Sequence, residues 1–423
     1  MSVAATFLGG AKSRLLPASV PFRFFASAAA FHVLMWLVLL VNADQATSFR
    51  GGLGSTLAVV HLLTLGVLTA TAIGASVQLL PVATRRTLRA VWPIKLIFWL
   101  AVPGTVALIG GMYTGQTSVL IAAAVITSVS LLLFCGLLAD NLRRAGSLPV
   151  VGAYGWAALA ALILVIALGA ALAINEEAGV LPDHAAAALA HLILGGFGFM
   201  GLLALGFSHI LIPMFALAPA PAKRPSFASF AAASVAIALG TLGALIGSRD
   251  VLATATLVGL AAAATHLWLM YRVLKTGMRK RLGLSFVLVR AAWIMLPATL
   301  LVGLAALYGL AGENGATLFG FLLLFGWLLT FLLAILQRIM PFLASMFVAL
   351  PASGGPAIVS EFAGAASLKL HAACHAVALA TLAVAILVDN AAVARAGSAI
   401  GLVGAIAFAW FTASIIRRIV PAK

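Results

Sequence analysis

Seven of the eight histidines fall inside long apolar runs, and few other side chains in the chain could do chemistry there. Ionisable groups within hydrocarbon are costly and mark functional sites by default. Imidazole is the exception that stays affordable, because its neutral form offers a lone pair to heme iron or copper without burying a charge. His61 and His191 form the first pair. Each stands five residues before a glycine, Gly66 or Gly196, near the start of an apolar run. At 1.5 Å per residue both should lie roughly 5–10 Å below one membrane face. Two readings follow: a ligand for heme or copper, or a hydrogen bond to backbone or hydroxyl on a neighbouring helix. Gly66, Gly195 and Gly196, one turn on, leave room for a flat macrocycle or for close approach of another helix. His32, at mid-depth in the first run, is a third candidate cofactor ligand and is expected to approach the His61 region. His266 stands alone and reads as a packing group, and His184 belongs to a solvated loop.

A second group sits toward the opposite face. His371, Cys374 and His375 occupy positions i, i+3 and i+4, one face of a helix. His209, Gln78 and Gln337 end their own runs on that side. Imidazole plus thiolate is a soft-metal set, so His209, His371, Cys374 and His375 are candidate metal ligands. A polar gate for protons or solute, and plain packing of a small cysteine, are the alternatives. No carboxylate lies deep in any run; Asp140 is at an edge. The sequence contains no phosphate-binding glycine loop, zinc-hydrolase motif or nucleophile triad. Cys135 and Cys374 lie in different runs and give no disulfide framework.

The elements that carry these residues are legible from hydropathy. Hydrophobic residues make up 64% of the 423-residue chain and charged ones 8%, a balance no water-facing surface tolerates. Apolar runs of about 20 residues, the length that crosses roughly 30 Å of hydrocarbon, are expected at 22–42, 56–81, 93–112, 117–139, 152–174, 186–213, 227–247, 251–274, 286–310, 316–348, 367–388 and 397–417. Strands alternating polar and apolar, as in a membrane β-barrel, are absent. With the N-terminus inside, 22 of the 25 basic residues fall on the inner side, and only Arg50, Arg249 and Arg395 fall outside. Seven of the nine acidic residues fall outside. That asymmetry predicts both termini in the cytoplasm of a bacterial-type inner membrane. The formal net charge of +16 then serves anionic lipid headgroups, not nucleic acid, for which no basic–aromatic reading surface exists. Arg290, the deepest charge, is expected to snorkel. The first 21 residues hold Lys12 and Arg14 and no apolar core with a cleavage site, so the first span is expected to act as its own insertion signal.

The second, sixth and tenth spans repeat one another. Segments 61–81, 191–213 and 321–341 carry Gly66, Gly196 and Gly326 at intervals of 130 residues and close on Pro81, Pro213 and Pro341. Gln78, His209 and Gln337 sit beside those prolines. A weaker likeness links the third span to the seventh, and the fourth, eighth and twelfth spans end in basic pairs. The expectation is an all-α membrane protein of twelve transmembrane helices, one membrane domain made of three pseudo-threefold four-helix units at about 22–145, 150–282 and 284–420. His61 and His191 occupy one position in the first two units, and Phe321 takes it in the third.

This plan, with a histidine high on the second and sixth helices, resembles the catalytic subunit of heme–copper oxidases. It is also similar to NnrS-type proteins, heme- and copper-containing membrane proteins linked to nitric oxide metabolism, whose first helix opens much as the Phe-Arg-Phe-Phe segment does at Arg23. The resemblance implies a heme role for His61 and a copper role for His191, with heme b or copper as cofactor. It also implies subunits of a respiratory or denitrification complex as partners. The departures are specific. Span 227–247 lacks the histidine pair that completes the oxidase copper site, span 316–348 lacks the two heme histidines, and no tyrosine accompanies His191 in its own helix. A heme- or copper-binding protein of respiratory or nitrogen-oxide metabolism that does not itself reduce oxygen is the reading this supports. A cofactor-free transporter or channel for a small solute or metal, and an assembly factor of a respiratory complex, are the competing classes.

Overall fold

The computed structural model describes residues 14–146, 148–347 and 365–419. Twelve helices among them are long and apolar enough to cross a bilayer. They are α1 Ser19–Val41, α2 Ser55–Thr84, α3 Trp92–Thr114, α4 Thr117–Arg143, α5 Pro149–Ala178 and α6 His184–Ala216, followed by α7 Lys223–Leu245, α8 Arg249–Thr276, α9 Leu284–Leu307, α10 Gly315–Phe347, α11 Ala365–Val388 and α12 Ala391–Ile419. No strand occurs among the described residues, and the protein is an all-α multi-pass membrane protein. Every expected span coincides with one of these helices; the largest difference is at the start of α12, expected at 397 and found at Ala391. Lys12, Lys423 and residues 348 and 420 lie outside the described residues.

The helices form two shells. α2 and α10 are buried over 72% of their most apolar stretch and α6 over 56%, against 28% for α5, α7 and α8. α10 packs on both α2 and α6. Around this trio, α1 lies on α2, α5 on α6 and α9 on α10, while α3–α4, α7–α8 and α11–α12 pair as antiparallel neighbours. α4 leads to α5, α8 to α9, and α12 returns to α1, closing the ring. The outer helices turn Trp92, Trp99, Trp268 and Trp410 outward. An apolar exterior is what lipid requires, so burial, not hydropathy, distinguishes the inner helices.

Each inner helix contains an eight-residue π-helical stretch, at Leu62–Thr69, Leu194–Gly201 and Leu322–Leu329. A π turn widens the ladder to i→i+5 and leaves carbonyls under-satisfied. Threonine hydroxyls take up two of them: Thr69 donates to the Thr64 carbonyl (2.7 Å) and Thr330 to the Phe325 carbonyl (2.9 Å), each five residues back. The corresponding end in α6 is Gly201. The prolines expected to close these segments instead lie inside the helices, Pro81 and Pro213 in the last turn and Pro341 six residues before the last described residue of α10. After two of them the chain caps itself: Arg85 and Leu217 adopt the left-handed conformation, and the following amides of Arg86 and Ala218 donate to the Pro81 and Pro213 carbonyls.

Small residues set the closeness of the α1–α12 seam. Gly401 lies against the flat ring of Trp36, leaving no space for a β-carbon, whereas Gly110 on α3 faces open space. Gly401→Ala is therefore expected to destabilise the fold by about 1–3 kcal/mol through overpacking. Gly110→Ala should leave it unchanged. Thermal unfolding in detergent distinguishes the two.

Candidate functional site

The structure sorts the seven membrane histidines into three groups. Hydrogen-bond partners fix the tautomers in most of them, and the tautomer decides what each group can hold.

The first is His61 with His191. The rings, on the neighbouring inner helices α2 and α6, have centres 6.4 Å apart and planes 27° from parallel. Both rings are partly buried. His61 Nδ1 lies 3.1 Å from the Leu57 carbonyl. A carbonyl only accepts, so the proton is on Nδ1 and the Nε2 lone pair is free. This arrangement, a second-shell carbonyl fixing the outer nitrogen, is the one metal-bound imidazoles use. His191 Nδ1 is buried without a hydrogen-bond partner, and its ring rests on the backbone of α5 at Gly169.

The adjacent glycines admit neighbouring helices. A β-carbon at Gly66 would meet the Phe31 ring at 2.7 Å, and one at Gly196 would meet Leu323 at 2.8 Å. A flat macrocycle in either groove would require Phe31 or Leu323 to turn away. A single ion needs no such movement: metal–nitrogen bonds of about 2 Å on either side place two in-line imidazole centres roughly 6 Å apart. The donor set of the pair therefore fits a compact ion better than heme.

The second group joins α1 to α11. His32 is not beside His61 but 6.2 Å from His371, whose ring is 5.6 Å from that of His375. All three are buried. Trp36 Nε1 donates to His32 Nε2 at 3.0 Å, so the His32 proton is on Nδ1. His371 Nδ1 donates to the Gly404 carbonyl at 3.1 Å, so its lone pair is on Nε2. Those two atoms, one donor and one acceptor, are both buried and unpartnered. A water or hydroxyl complements them. A cation bound there would have no free lone pair on His32. His375 Nε2 meets the Thr330 hydroxyl at 2.8 Å; Thr330 already donates to Phe325, so it accepts from the imidazole. Cys374 turns aside and packs on α12 at Gly404. Among the described residues no three His, Cys, Asp or Glu side chains converge as a metal would require. The spacing of His371, Cys374 and His375 on one turn could not reveal this, because His32 and Thr330 arrive from other helices.

The third group is His209 with His266, the histidine that reads as solitary in sequence. Their ring centres are 5.3 Å apart, and the Tyr154 ring centre lies 5.4 Å from that of His209. His209 Nδ1 donates to the Leu205 carbonyl at 2.9 Å. His209 therefore stands apart from the His371 group.

The glutamines also differ from one another. Gln78 ties the chain N-terminal to α1 through the Leu16 amide and carbonyl, while both amide atoms of Gln337 are buried without partners. His184, expected in a loop, is instead the first residue of α6, 3.0 Å from Asn175 and 3.6 Å from Glu176 near the end of α5. Two small cavities lie between α2, α4, α5 and α6 and among α1 to α4. Neither is lined by a histidine.

No protein-family model matches the chain, and no curated protein sequence matches it.

Removing the Thr330 hydroxyl leaves a buried imidazole N–H and a carbonyl unpaired. Thr330→Val is thus expected to cost about 1–3 kcal/mol. Thr254, exposed on α8 and bonded only to its own preceding turn, is the control, and Thr254→Val should fall within about 0.5 kcal/mol of the parent. Thermal or denaturant unfolding in detergent measures both.

Proposed function

We propose that the protein is a membrane-integral metal-binding protein that holds one copper ion between His61 and His191, on the general plan of heme–copper oxidases and NnrS-type proteins. The observation that carries this reading is the paired imidazoles on two inner helices, at a spacing suited to one ion, with the His61 lone pair freed by the Leu57 carbonyl. Two neutral imidazoles bring no charge to offset that of an ion. The pair therefore favours the soft monovalent state, Cu(I), over a divalent one. When bound, such an ion supplies a one-electron couple or a soft site for a small diatomic ligand. The protein's own part is to hold the two rings on α2 and α6 and to fix the His61 tautomer through the Leu57 carbonyl. On this reading the protein serves respiratory or nitrogen-oxide metabolism with subunits of a respiratory or denitrification complex and does not itself reduce oxygen; the resemblance to those two families is its support.

The same reading takes the helices as three rounds of four. Its support is that each contact within α1–α4 has a counterpart in α5–α8 and α9–α12, and that the three π-helical stretches recur on α2, α6 and α10. The charge asymmetry supports both termini inside a bacterial-type inner membrane. Labelling with a membrane-impermeant maleimide tests that orientation. Glu177→Cys is expected to react in intact cells, and Lys280→Cys only after permeabilisation; the reverse pattern would invert the topology.

The metal test is elemental analysis and an absorption spectrum of the purified protein. Copper is expected, and His61→Ala or His191→Ala should each remove one equivalent of it. A Soret band without copper would transfer the site to heme. Absence of both would overturn the reading and favour a cofactor-free transporter, channel or assembly factor.

A further inference from the structure

The His209–His266 group carries an inference of its own. Three ring nitrogens of these two residues have no hydrogen-bond partner: His209 Nε2 and both nitrogens of His266. His266 is 0% exposed and His209 6%. A buried polar atom left without a partner is costly, and three on two touching rings point to an occupant.

The chemistry narrows the occupant. With Nδ1 committed to Leu205, His209 offers only an Nε2 lone pair, the same arrangement found at His61. His266 is bound by no hydrogen bond and is free to present a lone pair from either nitrogen. α6 and α7 carry no acidic residue, the one on α8 is Asp250 in its first turn, sixteen residues from His266, and Asp140 is in the last turn of α4. Asp140 is already paired with Arg89 and Arg144. The group thus presents lone pairs and no anionic charge, which suits a soft monovalent cation. The ring centres are 5.3 Å apart, closer than the roughly 6 Å of an in-line pair. A bent arrangement leaves room for a third donor. Met270, fully buried, stands at i+4 from His266, on the same face of α8, and a thioether is a soft donor of the right class.

We propose that His209 and His266, with Met270, form a second soft-cation site, of the Cu(I) or Ag(I) class. It lies at the other end of α6 from His191, about 27 Å away at 1.5 Å per residue. The inference shares with the proposed function the kind of ion but not its location.

The test is titration of the purified full-length protein in detergent with Ag(I), and with Cu(I) under reducing conditions, against a chelator of known affinity. The parent should take up two ions, and His61→Ala/His191→Ala should keep the one at His209–His266. His209→Asn and His266→Gln should keep only the other, weakening the lost site by more than the roughly 10–100-fold that loss of a second-shell partner costs. Retention of the His61–His191 ion in these variants shows that they have folded. X-ray absorption of the His61→Ala/His191→Ala protein should show imidazole and one sulfur around the ion, the sulfur disappearing in Met270→Leu. Unchanged stoichiometry and affinity on changing His209 and His266 would overturn the second site. If the parent takes up a single ion and His209→Asn abolishes it, the second site stands and the His61–His191 reading fails.

Discussion

Hydrocarbon offers no water to complete an unfinished hydrogen bond, and this constraint governs the structure. Every imidazole proton and lone pair in a span must be met from within the protein or by something bound to it. The chain meets the constraint by bringing histidines together and anchoring one nitrogen on a fixed group. Leu57, Leu205 and Gly404 supply carbonyls, Trp36 an indole N–H and Thr330 a hydroxyl. Each anchor selects a tautomer and so selects what the opposite nitrogen can do. His61 and His209 are left with lone pairs, whereas His32 is left with a proton. Residues of one type thereby acquire different chemistry: His32 and His371 leave one buried N–H and one lone pair unpartnered, whereas His209 leaves its Nε2 and His266 both of its ring nitrogens.

The backbone obeys the same rule. Three inner helices contain π-helical stretches, and a wide turn in a bilayer is tolerated only where its carbonyls are met. Thr69 and Thr330 do this locally. At Thr330 the hydroxyl also receives His375, so the widened turn of α10 and the histidine group on α11 share one oxygen. Close packing supplies the rest: Phe31 and Leu323 fill the space beside Gly66 and Gly196, and Trp36 rests on Gly401. The space that glycine leaves in the helices is spent on other helices.

The sequence by itself determined the twelve spans, because a run of about 20 apolar residues has no other stable disposition and hydropathy is read locally. It also marked α2, α6 and α10 through their matching glycines and prolines, and it paired His61 with His191 by position. Yet the prolines read as helix ends proved to lie inside the helices, Pro81 and Pro213 in the last turn, since a proline near a helix terminus forfeits one hydrogen bond without stopping the chain. Tertiary structure alone decided the other partnerships. His32 meets His371 rather than His61, His266 meets His209 rather than standing alone, and Cys374 turns away from the histidines beside it in sequence. These depend on how helices far apart in the chain are rotated against one another. An apolar surface on every side of a membrane helix removes the polar face that would otherwise announce that rotation, so the sequence fixes which residues are buried in the bilayer but not which of them touch.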